Sequence, residues 1–272
     1  MLYVSNEVIR DEHLSDEAIV VFLFLQVLTY SPNYESVTFN ISQVVDQAYG
    51  EVNSHSIHYK VKNALKEIIS NGYLDITQES SQWWRIFMTS YRVQDQGYVA
   101  VDADSVRKIL DEEDLRNRPT IVRYYLLLLS TIHTKTKAGT YDQDWFCELL
   151  HVSKQTLSKY TRILEKLKLI YVYRSALTTV SNTYGRFDDK EFIDIEGSKR
   201  SKGREAHENA NVKRKYVAMY RSFLDGKEYD RETLNEILKA MKARNAELEE
   251  LGANARGDVY DLQPLIDKIN GK

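Results

Sequence analysis

One cysteine, three prolines and eleven glycines in 272 residues exclude several protein classes at once. Cys147 has no partner for an internal disulfide, and a zinc site would need more thiolates or closely spaced histidines than the chain carries. The longest apolar run, Ile19 to Leu28, is too short to span a bilayer, and the start MLYVSNEVIRDEHLS lacks the charged-then-apolar layout of a signal peptide. The expectation is a reducing, cytoplasmic setting with no membrane partner. No phosphate-binding GxxxxGK[ST], no GxGxxG after a strand, no GxSxG and no HExxH occurs. The nearest thing to a carboxylate cluster, Asp188-Asp189 with Glu191 and Asp194, reads as an acidic surface turn, and His55 with His58 has no acidic or cysteine companion. No catalytic residue, metal site or cofactor is therefore assigned, and the protein is not expected to be an enzyme.

What is present is an ordinary globular composition, with 43% hydrophobic and 28% charged residues, which argues against wholesale disorder. With proline and glycine so scarce, and Leu, Lys, Glu and Ile abundant, the chain should be rich in helix. A net charge of -3 would count against a nucleic-acid partner, because phosphate neutralisation supplies much of the affinity. The average conceals an uneven distribution: the first hundred residues are acidic, whereas 101–190 carries an excess of Lys and Arg.

The same pattern runs through the chain twice. The first copy opens with Tyr3-Val4 and an apolar helix from Asp16 to Tyr30 behind a Ser15 cap. It continues with a strand at Val37-Thr38-Phe39, a helix from Ile41 to Gln47, a turn at Gly50 to Asn53 and a helix from Ser56 to Asn71 that Gly72 ends. A hairpin follows, with strands at Tyr73–Thr77 and Trp83–Ser90; alternation must send one of Trp83 and Trp84 inward and the other outward. The second copy opens with Tyr98 to Val101 and a helix from Asp104 to Glu112, then an apolar helix from Pro119 to His133. After Thr140-Tyr141-Asp142 come a helix from Gln143 to Leu150, a turn at His151-Val152 and a helix from a Ser153 cap to Leu167. A strand at Leu169–Arg174 and a return strand within Thr178–Phe187 complete it, with Asn182 and Gly185 in reach of the tip.

The segment FCELLHVSKQTLSKYTRILEKLKLIYVYR, Phe146 to Arg174, resembles the DNA-reading half of a winged helix-turn-helix domain. Leu149, Val152, Leu157, Leu164 and Leu167 are placed to bury, while Lys154, Gln155, Thr156, Ser158, Lys159 and Arg162 stay outside. Side chains of those types suit the edges of base pairs in a major groove. Aligning the two copies sets His58, Tyr59, Lys60, Lys62, Asn63 and Lys66 opposite them, so these twelve residues are the candidate DNA-binding set. The family commonly has a glycine before the first wing strand; the first copy has Gly72 there and the second has Lys168, so the second helix is expected to end within a residue or two of that point.

The fold class that follows is mainly α with small β wings: winged-helix domains over 1–95 and 96–195, a basic linker over 196–211 and a helical module over 212–272. The run Gly197 to Arg204 lacks apolar residues and reads as mobile. In the tail, Leu234, Ile237, Leu238, Met241, Leu248 and Leu251 stripe one helix face, with Asn245 interrupting it. The doubled arrangement resembles the replication initiators of bacterial plasmids and phages, which implies double-stranded DNA as partner and origin binding as role. A transcriptional repressor dimerising through the C-terminal helices, and a protein-interaction scaffold, are the alternatives the residues leave open.

Overall fold

The computed structural model describes residues 1–29, 35–50, 55–87, 97–112, 115, 117–177, 181–250 and 259–271. Two compact units divide the chain: a larger one containing both copies of the repeated pattern up to Ser198, and a smaller one from Lys199 onward. Both are built mainly of helices, and small antiparallel sheets accompany those of the larger unit.

In the larger unit the first half runs β1 (Leu2–Ser5), α1 (Asn6–Arg10), α2 (Asp16–Thr29), β2 (Ser36–Asn40), α3 (Ile41–Tyr49), α4 (His55–Ser70), β3 (Ile76–Gln78) and β4 (Trp83–Phe87). The second half runs β5 (Tyr98–Val101), α5 (Ala103–Leu110), α6 (Arg118–Ser130), α7 (Gln143–Leu150), α8 (Lys154–Lys166), β6 (Ile170–Tyr173) and β7 (Thr183–Arg186). The order is the same except at β2. There the second half has only an isolated bridge, Gly139 to Tyr184, on the side of β7 away from β6. That bridge stands where β2 stands beside β4 in the three-stranded sheet β2-β4-β3. The first hairpin strand begins at Ile76, three residues later than expected, because Tyr73 is still tied to the end of α4 by its N–H to the Ile68 carbonyl, 3.2 Å. Gly185 lies inside β7 and not at the tip; a Cβ on it would come within 2.5 Å of the Ile193 side chain. The expected turn residues 51–53 and the strand end at 88–90 fall outside the described residues.

Equivalent strands join the halves. β1 and β5 pair antiparallel with Leu2 opposite Val101 and Val4 opposite Val99. Leu2 and Val99 hold matching places in the two halves, as do Val4 and Val101, so the pairing is locally twofold. The capping residues that follow correspond too: Ser5 accepts from the Val8 N–H and Asp102 from the Ser105 N–H. Even the outer edges are closed alike. The Gln26 amide bonds both the N–H and the carbonyl of Tyr3, and Arg186 donates to the Ala100 carbonyl, which blocks further strands from adding there.

Beneath this sheet α2 and α6 pack together, apolar on all sides: Ala18 to Leu25 and Ile121 to Leu129 are buried without interruption. The buried residues of both halves form one continuous core. Among the described residues its one deeply buried cation, Arg123 on α6, is 3% exposed. It donates to the carbonyls of Ile9 (3.0 Å), Leu14 (3.0 Å) and Asp11 (2.7 Å) and to the Asp16 carboxylate (3.2 Å). A helix of the second half thereby satisfies the carbonyls of Ile9 and Asp11 at the end of α1, and that of Leu14 beyond it.

The run expected to be a mobile linker is helical. After a 3-10 turn at Phe187–Asp189, α9 (Lys190–Leu224) continues unbroken through it. Two physical reasons apply. Lys, Arg, Glu and Ala are good helix formers, and Arg204 and Glu208 add an i,i+4 ion pair at 2.9 Å. Gly197 serves packing and not flexibility: a Cβ there would lie 2.2 Å from the Tyr173 ring, so glycine is what lets α9 approach β6. Asp194, expected in an acidic surface turn, lies in the first turns of α9 and accepts from the Tyr171 hydroxyl at 2.9 Å.

In the smaller unit the rest of α9 is joined by α10 (Arg231–Glu250) and α11 (Gln263–Ile269), around Tyr220, Leu234, Ile237, Met241 and Leu265. Asn245, which interrupts the apolar stripe, is a latch: its amide donates to the Tyr260 carbonyl (2.8 Å) and accepts from the Tyr260 N–H (3.0 Å). Among the described residues no helix is long and apolar enough to cross a membrane.

Candidate nucleic-acid interface

Two helix pairs, α3 with α4 and α7 with α8, carry the twelve candidate residues. Side-chain caps satisfy the orphan amides of these helices. The Asn40 side chain accepts from the Gln43 N–H while the Asn40 N–H donates to the Gln43 side chain, a complete capping box at α3; Asp142 caps α7 by accepting from the Asp144 N–H, and Ser153 caps α8 by accepting from the Thr156 N–H at 3.2 Å. Inward, α4 buries Val61, Ala64, Leu65 and Ile68, and α8 buries Leu157, Tyr160, Thr161 and Leu164 with identical spacing. The alignment drawn from the sequence is the one the burial pattern gives.

The helix ends agree equally well. Gly72 (φ 71) and Lys168 (φ 55) both take the left-handed conformation. Their N–H groups reach Ile69 and Glu165 carbonyls at 3.0 Å each. Lys168 therefore fills the glycine's role with a side chain attached, and the second helix ends at the place the first does.

Facing outward on α8, Lys154, Gln155, Ser158, Lys159 and Arg162 are exposed and Thr156 is half-buried. On α4, Tyr59 is 67% exposed, Lys60 and Lys66 are exposed, and His58, Lys62 and Asn63 are half-buried. None of the twelve is buried. Some already have work within the chain. Lys154 pairs with Asp144 at 2.5 Å, which raises its pKa through that hydrogen bond, and Thr156 shares a 3.0 Å hydroxyl contact with Ser153. Lys60 pairs with Glu17 at 3.3 Å, and the His58 ring nitrogen lies 3.3 Å from the Ser42 hydroxyl. Among the described residues Lys62 and Lys66 on α4 and Lys159 and Arg162 on α8 form no ion pair, which leaves two such cations on each helix.

Behind α8 lies a rigid polar-aromatic backing. The Tyr124 hydroxyl bonds those of Tyr141 (2.9 Å) and Thr161 (2.7 Å), Tyr184 donates to Tyr141 at 3.4 Å, and the Tyr141 ring stacks on Phe146 at 4.3 Å. Burial pushes the phenols of Tyr124, Tyr141 and Tyr184 far above their ordinary range, so all three stay neutral. Thr161 is thus held from α6 while Lys159 and Arg162 project on the other side. Behind α4, Glu67 accepts from the Ser15 N–H at 3.0 Å.

A groove of about 240 Å³ lies between the start of α3, the outer face of α4 and the β3–β4 tip; Ser42 and Gln82 line it with His58, Tyr59 and Lys62. Sequence reasoning missed Ser42 and Gln82, although the capping box at Asn40 and the polar tip 78–82 were the signals that place them. Of the two tryptophans, Trp84 is 2% exposed and Trp83 44%; Trp83 follows that tip, outside the core. Among the described residues no three His, Cys, Asp or Glu side chains gather closely enough to hold a metal ion. No model of a known protein family matches the sequence, and no curated protein matches it.

Proposed function

We propose that the chain is a double-stranded DNA-binding protein built on tandem winged helix-turn-helix domains, with α4 and α8 as its reading helices. The observation that carries the reading is the duplication itself. Two helices with the same buried spacing and the same left-handed ending expose unpaired cations on faces that are otherwise polar. A solvated helix face alone would be unremarkable; repetition at matching positions is what favours a shared ligand. Gln155, Lys159 and Arg162 offer the donors that read adenine and guanine edges, and the hairpins stand beside the helices as wings.

Because β1 and β5 relate the halves by a local twofold, the two half-sites on DNA would run in opposite directions. The role we assign is origin binding on a plasmid or phage-like element, supported by the doubled arrangement. Selection from a random duplex library with the purified full chain tests both levels. A selected site should contain two inverted half-sites, and affinity should fall at least about tenfold between roughly 50 and 200 mM salt. Salt-independent binding, or no enriched site, overturns the DNA reading. Occupancy confined to promoters, with element copy number unchanged, overturns the origin role alone.

A further inference from the structure

We infer that the groove along α9 in the smaller unit docks an acidic amphipathic helix of a partner protein. The groove holds about 570 Å³ and is walled by one face of α9, by Arg244 of α10 and by Tyr260. Ala210, Lys213, Arg214, Val217 and Arg221 recur at helical spacing along that face. At 1.5 Å per residue they span about 16 Å, roughly three turns of helix.

Its chemistry is divided between floor and rim. Val217, Ala218 and Tyr260 make an apolar floor, and the alanines leave depth for the larger side chains of an incoming helix. The rim is cationic on both sides. Lys213 and Arg244 both bond Glu247, which fixes their positions and leaves the cluster with excess positive charge. Arg214 and Arg221 are exposed and form no ion pair among the described residues. The far wall is tied in place: Asn245 donates to the Tyr260 carbonyl and accepts from its N–H, and the Tyr260 ring meets Tyr220 edge-on at 5.9 Å.

An apolar strip flanked by basic residues complements a helix with leucines along one side and carboxylates beside them. Nucleic acid fits less well. A phosphodiester backbone gains nothing from Val217 and Ala218. The inference does not depend on the DNA reading, because it concerns other residues.

The test uses the full chain and a fluorescent, helix-forming peptide of about fourteen residues, with leucines on one face and glutamates elsewhere. Saturable binding by anisotropy is expected. It should weaken at least tenfold in Arg214→Glu/Arg221→Glu and in Val217→Asp, with the circular dichroism of the chain unchanged. A peptide with lysines in place of the glutamates should not bind. Absence of saturable binding, equal binding of the lysine peptide, or an unaffected affinity in both variants overturns the proposal. So does displacement of the peptide by a single-stranded oligonucleotide that binds the same groove more tightly.

Discussion

In the first half of the larger unit, α4 turns Tyr59, Lys62 and Lys66 outward and ties His58 and Lys60 to Ser42 and Glu17; in the second, α8 exposes Gln155, Ser158, Lys159 and Arg162 and ties Lys154 and Thr156. The inward faces match position for position, while the outward faces share only their charge. Burial constrains which positions face inward, although Ala64 stands opposite Tyr160 and Leu65 opposite Thr161, so the filling of the core differs in detail. Solvent constrains almost nothing, so the outward chemistry is free to differ. On the proposed function, the two inverted half-sites would therefore differ in the bases they present to each helix.

The comparison breaks most visibly at Arg123, where the second half holds the first. Arg123→Met should cost about 3–5 kcal/mol, because Asp16 and three carbonyls lose their donor inside the core. If the halves share one core, chemical denaturation will show a single transition at lower denaturant; two separated transitions would mean that they fold independently.

A smaller effect should distinguish the reading helices from each other. Lys159→Ala or Arg162→Ala is expected to weaken binding of the selected duplex by about 1–3 kcal/mol and to relax its sequence preference. Lys62→Ala and Lys66→Ala, on a helix in the more acidic half, should cost less and act on all sequences alike. Equal losses from both helices, measured by fluorescence anisotropy, would show that the acidic half reads as strongly as the basic one.

Smaller still are the reciprocal changes at the helix ends. Gly72→Ala should destabilise by about 1 kcal/mol, since its left-handed backbone is strained for any side chain even though nothing crowds the position. Lys168→Gly relieves the same strain but loosens the unfolded chain, so a gain of only about 0.5 kcal/mol is expected. Thermal melts of the two variants should move in opposite directions.

One further effect appears only at alkaline pH. The phenols of Tyr124, Tyr141 and Tyr184 have pKa values raised in the fold, so the neutral form stabilises it fully below the ordinary tyrosine range near 10. That contribution is lost as pH climbs from there toward the raised values, since the unfolded chain releases its protons first. Absorbance of phenolate during an alkaline titration should show these three ionising together with unfolding; ionisation while the fold stays intact would mean that the network is open to water.

Much of this was legible in local pattern. The spacing of Leu149, Leu157 and Leu164 marks the buried faces of α7 and α8, with Val152 and Leu167 only half-buried beside them; Ser15 and Ser153 mark starts, and Trp83-Trp84 obeys strand alternation. Misreadings arose where one residue type serves two ends. Gly197 suggested flexibility and supplies close packing against Tyr173, and Asn245, read only as an interruption of the apolar stripe, latches Tyr260.

What the chain's order of residues settled alone is which side chains leave water, because hydrophobic periodicity is a property of near neighbours. Tertiary structure decided the rest: the β1–β5 pairing, the reach of Arg123 across the halves, the docking of α9 on β6 and the assignment of Lys60 and Lys154 to internal ion pairs. Most of these join residues dozens of positions apart, and even Lys154 finds Asp144 only because α7 and α8 pack. Their partners are selected by geometry after collapse, when burying one carbonyl or one ring makes a single distant group the best available complement.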